Sequence, residues 1–255
     1  MEQGSQFNIR KPIYLKTFEF FKDPTSFNQI ADVMRKHLRG KNNSPRCLDA
    51  MAATGHVGRK MKEIFPEINV VYQDKSQKML SSDEYLEDSG RILSDGAALP
   101  VSDKSFDIVC CRMGLNNVAE VNYPKILKEY LRVLNDDGVV ILQDHFARTG
   151  EEQKVINALE TEVSIMEGIK DETYVPTLQG LRKLIQEIGG KVASEESFEA
   201  PFSAKQRFFS KGIEQPNLLK IKKILEAQSA IKYEYKEEDI IIVYPISTIA
   251  FKKAM

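Results

Sequence analysis

At 255 residues the chain is long enough for one α/β domain with an addition, or for two small domains. Apolar side chains make up 42% of it, which excludes wholesale disorder. Lys and Arg number 36 against 37 Asp and Glu, and this balance argues against a phosphate-dominated nucleic-acid partner.

Residues 1–44 are polar with interspersed aromatics: Phe7, Tyr14, Phe18, Phe20, Phe21 and Phe27. Phe27, Ile30, Val33, Met34 and Leu38 fall on one helical stripe, which predicts a helical N-terminal extension ending in a loop over 40–45. From Arg46 onward, short apolar runs alternate with helical ones. Residues 46–50 read as a strand and 56–65 as a helix; 69–73 as a strand and 77–80 as a short helix; 91–93 and 105–111 as strands. An amphipathic helix over 123–134 is stopped by Asn135-Asp136-Asp137-Gly138, and 139–143 is again a strand. Repeated strand–helix units predict an α/β fold: a doubly wound, Rossmann-like, mostly parallel sheet with helices on both faces. The loops after its strands then share the edge where such sheets bind ligands.

Beyond this the pattern loosens. Residues 151–169 and 176–188 read as helices, 191–199 as a strand, 202–212 and 217–229 as helices, and 240–244 and 247–252 as two short strands separated by Pro245. The expected division is an extension over 1–44, a Rossmann-like core over 45–150, and a remainder over 151–255 that completes the sheet and adds a helical cap. The charge run 232–239 reads as a solvated face. Phe198, Phe202, Phe208 and Phe209 fall in the cap, where core packing is the common fate of such residues.

Cys47, Cys110 and Cys111 lie in apolar runs without CxxC spacing and read as buried reduced thiols. His37, His56 and His145 are scattered, so no metal site is expected. There is no apolar leader and no stretch of membrane-spanning length, which predicts a cytoplasmic protein without a membrane partner.

Three segments carry chemistry. In residues 47–58 a strand ends in Asp49, a turn of small residues follows (Ala50, Met51, Ala52, Ala53, Thr54, Gly55), and a helix begins. Small side chains let backbone approach a ligand, and a helix N-terminus favours a carboxylate or phosphate. Next, Val70-Val71-Tyr72-Gln73-Asp74 closes the second strand with an acid, followed by Lys75. An acid there suits ribose hydroxyls, or caps the next helix. Finally, Ser94-Asp95-Gly96-Ala97-Ala98-Leu99-Pro100 precedes Ser105-Phe106-Asp107-Ile108-Val109.

These segments, in this order and with Leu131-Arg132-Val133-Leu134 and Val139-Val140-Ile141-Leu142 after them, resemble class I S-adenosylmethionine-dependent methyltransferases. The likeness covers roughly 46–145. Within that class, Met113-Gly114-Leu115-Asn116-Asn117-Val118 is similar to the broad group that includes the ubiquinone/menaquinone-biosynthesis C-methyltransferases. The resemblance implies S-adenosylmethionine as cofactor. Its methionine end would lie on the turn from Asp49 through Ala50, Met51 and Ala52 to Gly55. Its ribose would meet Asp74 beside Lys75, its adenine Asp95, Gly96 and Ala97, and Arg112 and Met113 would line the methyl position. Two departures stand out: Met51 and Ala53 replace usual glycines, and Asn116 replaces a basic residue typical of the quinone group.

Asp144-His145 follows the fifth strand at the ligand edge. Imidazole titrates near neutrality, so His145 is the candidate catalytic base. His56 opens the first core helix beside the turn, and His37 reads as structural. The expected activity is methyl transfer to a small-molecule O, N or C nucleophile. A second reading, motivated by Met51 and Ala53, is a cofactor-binding relative without turnover that acts as a partner or regulatory module. RNA methylation is a third, lowered by the balanced charge.

Overall fold

The strands of the core alternate between two buried faces. In β1 (Arg46–Ala50) Cys47 faces one apolar cluster and Leu48 the other. In β4 (Phe106–Arg112) Ile108 and Cys110 share the first face, Val109 and Cys111 the second. This period of two with both sides apolar is the signature of a sheet sandwiched between helices. The computed structural model describes residues 24–39, 44–81, 89–166, 174–210 and 217–254. The expected features of residues 1–23, including Phe7, Tyr14, Phe18, Phe20 and Phe21, lie outside them, as do the side chains of Phe208 and Phe209.

Helix α1 (Pro24–Leu38) buries Phe27, Ile30, Ala31 and Met34 against the first face, beside α2 (His56–Ile64). Phe27, Ile30 and Met34 each contribute about 1.5–3 kcal/mol when fully removed from water. Strands β2 (Asn69–Asp74) and β3 (Gly90–Leu93) flank the short α3 (Gln77–Leu80). The second face is covered by α4 (Tyr123–Val133), through Ile126, Leu127 and Tyr130, and by α6 (Leu178–Glu187), through Leu181 and Ile185. After β5 (Leu134–Asp144) come α5 (Gly150–Met166), α6, β6 (Gly190–Ser203), α7 (Ala204–Ser210), α8 (Leu218–Glu226), β7 (Tyr233–Lys236) and β8 (Asp239–Lys253). A third cluster joins Val155, Ile156 and Leu159 of α5 to Ile221 and Leu225 of α8 and Ile242, Tyr244 and Ile246 of β8.

The strand order is β3-β2-β1-β4-β5-β8-β6, with β7 also on β8. Strands β3, β2, β1, β4 and β5 are mutually parallel, and β8 is antiparallel to both β5 and β6. The mostly parallel, doubly wound α/β sheet agrees with the sequence. All three cysteines are buried free thiols, and burial raises their pKa. Among the described residues no helix is long and apolar enough to cross a membrane.

Three features differ from the sequence reading. The two short strands expected around Pro245 are one continuous strand, β8. Along one edge, β8 meets β7 over 239–242 and β5 over 247–251, and Val243 N–H still donates to Lys232 O. The nitrogen of residue 245 points to the same edge in the interval between these partners, where no ladder donor is required, so proline is tolerated. The stop signal 135–138 does not end a helix before a strand but lies inside β5. There the register jumps from Phe106↔Leu134 to Ile108↔Val139, so the turn residues form a bulge. The charge run 232–239 is exposed, as expected, but is also the hairpin of β7 and β8.

Candidate active site

Strand order reverses on either side of β1: β2 and β3 lie to one side, β4 and β5 to the other. In open α/β sheets the ligand crevice lies outside the carboxyl ends of the strands at this switch point. The turn after β1 stands there. Met51 and Ala53 both take positive φ, 55 and 48, and Gly55 takes 77. For a residue with a Cβ that conformation costs about 1–2 kcal/mol. Hydrogen bonds from the N–H groups of the turn to acceptors at the end of β2 hold it. Met51 N–H donates to Gln73 Oε1 at 3.1 Å, Ala52 N–H to the Gln73 carbonyl at 2.8 Å, and Ala53 N–H to Asp74 Oδ2 at 2.9 Å. Gln73 also donates through Nε2 to the Ser94 carbonyl at 2.7 Å, so one buried amide ties the loops after β1, β2 and β3 together. Sequence reasoning missed Gln73; a polar residue on the penultimate position of an otherwise apolar strand was its signal.

Asp49 points beneath the turn. Its Oδ2 accepts Gly58 N–H at 2.8 Å, in the first turn of α2, where the helix dipole favours an anion. Burial pushes its pKa up to about 7 against this help. Ala50 and Ala52 are buried beside it. Asp74 is also buried, and burial raises its pKa. Its second oxygen accepts Ser76 N–H at 2.8 Å, but the N-cap of α3 is Ser76, whose Oγ accepts from Met79 N–H. Lys75 is exposed. Asp95 is exposed and its Oδ1 accepts Ala97 N–H at 2.8 Å, folding a tight turn around buried Gly96.

Arg112 and Met113 part company. Arg112 continues the alternation of β4 onto the face of α1: its guanidinium sits 4.7 Å over Phe27, and its Nε donates to Gln143 Oε1 at 2.8 Å. Gln143 passes the chain of bonds to Thr248 and thence to Gln29. Met113, at φ 51, donates its N–H to the Gln143 carbonyl and packs against the third apolar cluster. His56 lies edge-on to Phe27 at 5.5 Å.

His145 is 1% exposed. Its Nδ1 lies 3.0 Å from Asp144 Oδ1 and its Nε2 3.7 Å from Glu160 Oε1, and neither approach has hydrogen-bond geometry. Tyr244 stands edge-on to the ring at 5.6 Å. Arg207 pairs with Glu160 and lies 5.1 Å over Tyr244. Asp144 Oδ2 accepts Asn116 N–H at 3.1 Å, which joins the loop after β4 to the end of β5. Glu160, Arg207 and Tyr244 were not legible beforehand, since only the folding of α5, α7 and β8 against β5 gathers them. Among the described residues no group of His, Cys, Asp and Glu could hold a metal ion.

The methyltransferase-domain family matches residues 48–142. The chain is 32% identical over 101 residues to a demethylmenaquinone methyltransferase of Thermotoga maritima, covering 39% of this chain and 43% of that protein. It is 30% identical over 143 residues to the uncharacterized methyltransferase YcgJ of Bacillus subtilis, covering 52% of this chain and 54% of that protein. The chain thus spans about half the length of the curated relatives it matches. The solved YcgJ structure is similar with a TM-score of 0.73 at 19% identity, covering 91% of this chain and 99% of that one. A phosphoethanolamine N-methyltransferase of Haemonchus contortus, solved with phosphomonomethylethanolamine and S-adenosylhomocysteine, gives a TM-score of 0.57 at 16% identity, covering 89% and 53%. Residues 48–142 thus match the methyltransferase-domain family, and the chain shares its Rossmann-like α/β fold with the solved YcgJ protein.

Proposed function

We propose that the protein methylates a small-molecule O, N or C nucleophile at the expense of S-adenosylmethionine. The observation that carries this reading is the turn after β1. It keeps left-handed backbone at Met51 and Ala53 because Gln73 and Asp74 clamp it from β2. Strain held in this way clusters at functional sites. Asp74 accepts the N–H groups of Ala53, Ser76 and Lys75, and a carboxylate has about four acceptor positions, so room for one ribose hydroxyl remains.

In this reading the backbone of the turn borders the methionine end of the cofactor, and the N-terminus of α2 after Gly55 faces its carboxylate. Asp74, beside Lys75, takes the ribose, and Asp95, Gly96 and Ala97 border the adenine. Arg112 acts at one remove, by fixing Gln143 and α1, while Met113 borders the methyl position. When bound, S-adenosylmethionine supplies a methyl group already activated on a sulfonium. The chain then aligns the acceptor, excludes water and removes a proton where the acceptor bears one. His145 Nε2 takes that proton, beside Glu160. The elements after residue 150 close the acceptor side as a cap.

Titration calorimetry with S-adenosylmethionine tests the cofactor assignment. Asp74→Ala should weaken binding about 30-fold, or about 2 kcal/mol. Undetectable binding by the wild type, or equal binding by the variant, refutes it. His145→Gln should lower release of S-adenosylhomocysteine at least about 100-fold across a panel of nucleophiles while leaving the cofactor Kd unchanged. Wild-type turnover in that variant removes His145 from the chemistry. Cofactor binding without turnover on any acceptor would favour a regulatory relative instead.

A further inference from the structure

One side chain lies across the switch-point crevice. Met51 leaves β1 with φ 55, and its thioether runs towards the loops that follow β3 and β4. A Cβ placed on Gly114, after β4, would stand 2.8 Å from Met51 Cβ and 2.9 Å from Met51 Sδ. A Cβ placed on Gly96, after β3, would stand 3.1 Å from Met51 Cε. Bare backbone at these two glycines is what makes room for the thioether. Met51 is half-buried and packs against the apolar cluster that contains Ile126 and Tyr130 of α4. Methionine turns about three bonds and makes no strong hydrogen bond. The crevice can therefore be cleared by side-chain rotation, with β1 and its clamp from β2 left in place.

We infer that Met51 is a displaceable side chain that fills the cofactor crevice between Gly96 and Gly114 and sets the affinity of the site. This rests on reading the turn as the S-adenosylmethionine site. The apparent affinity is the intrinsic affinity reduced by the fraction of molecules whose side chain is turned away. Truncating the side chain removes that reduction. Glycine also takes the observed φ without the cost borne by a Cβ.

Titration calorimetry with S-adenosylmethionine and with S-adenosylhomocysteine, on the full chain, decides the matter. Met51→Gly and Met51→Ala should bind both ligands about tenfold more tightly than wild type, and Met51→Leu, which keeps the bulk, should stay within about twofold. Thermal melts establish that each variant is folded, and if the glycine variant is not, Met51→Ala carries the comparison alone. Equal or weaker binding by the folded truncations overturns the role of Met51 while leaving the cofactor site standing. Failure of wild type and every variant to bind either ligand overturns both.

Discussion

Asp49→Asn should remove a fall in stability that the wild type shows between about pH 4 and pH 7. Burial holds the Asp49 carboxyl at about 7, against 3.8 in the exposed state. Across that window the folded chain keeps a proton that the unfolded chain has lost. Stability from this group is complete below about pH 4 and is lost as pH rises through 7. The separation corresponds to about 4 kcal/mol. An asparagine keeps an oxygen for the Gly58 N–H and has no charge to desolvate. Asp74, also raised by burial, contributes in the same direction in both proteins, while Glu129, paired with Arg132, contributes in the opposite one. The difference between the two proteins therefore reports Asp49 together with its charge coupling to Asp74. Urea unfolding at pH 4, 6 and 8 measures it: the gap should move by several kcal/mol in the variant's favour. Parallel pH profiles would show that the site is not desolvated as the structure implies.

Gly58→Ala acts on the other end of the same hydrogen bond. A Cβ there would stand 2.3 Å from Tyr72 Cε1 and 2.7 Å from Val70 Cγ1, both on buried side chains of β2. Neither can retreat, since β2 is paired on both sides. Helix α2 must lift from the sheet, at about 3 kcal/mol. The midpoint of thermal unfolding should then drop by about 6–12 °C. Gly150→Ala is the control, because nothing lies within 4 Å of a Cβ there, and it should leave the midpoint within about 2 °C. A Gly58→Ala protein that melts with the wild type would refute the close approach. Combined with Asp49→Asn, the effects should not add, because both act on one contact.

The five parallel strands were legible because their apolar runs are bounded by polar turns and repeat at strand–helix spacing. The acid at the end of β1 and the acid at the end of β2 stood out for the same reason. What escaped notice depends on partners distant in sequence. Pro245 reads as a break until β7 and β5 are seen to leave an interval opposite it. Glu160 and Arg207, 47 positions apart, meet only when α5 and α7 fold over β5. Arg112 was within reach of the sequence: the alternation that sends Cys110 and Cys111 to opposite faces sends Arg112 with Cys110, towards α1. Met51 and Ala53 were legible as departures from glycine, but the residue that supports them, Gln73, was not.

The position of β8 has a consequence for the order of events during synthesis. It is the latest strand in the sequence among those described, yet it lies between β5 and β6 and also receives β7. A chain leaving the ribosome can assemble β1 to β5 as a parallel unit, but β6 has no neighbour in the sheet until β8 arrives. The exposed edge of β5 must therefore wait through more than a hundred residues of translation before it is covered, the period in which an unpaired strand is most open to pairing with another chain.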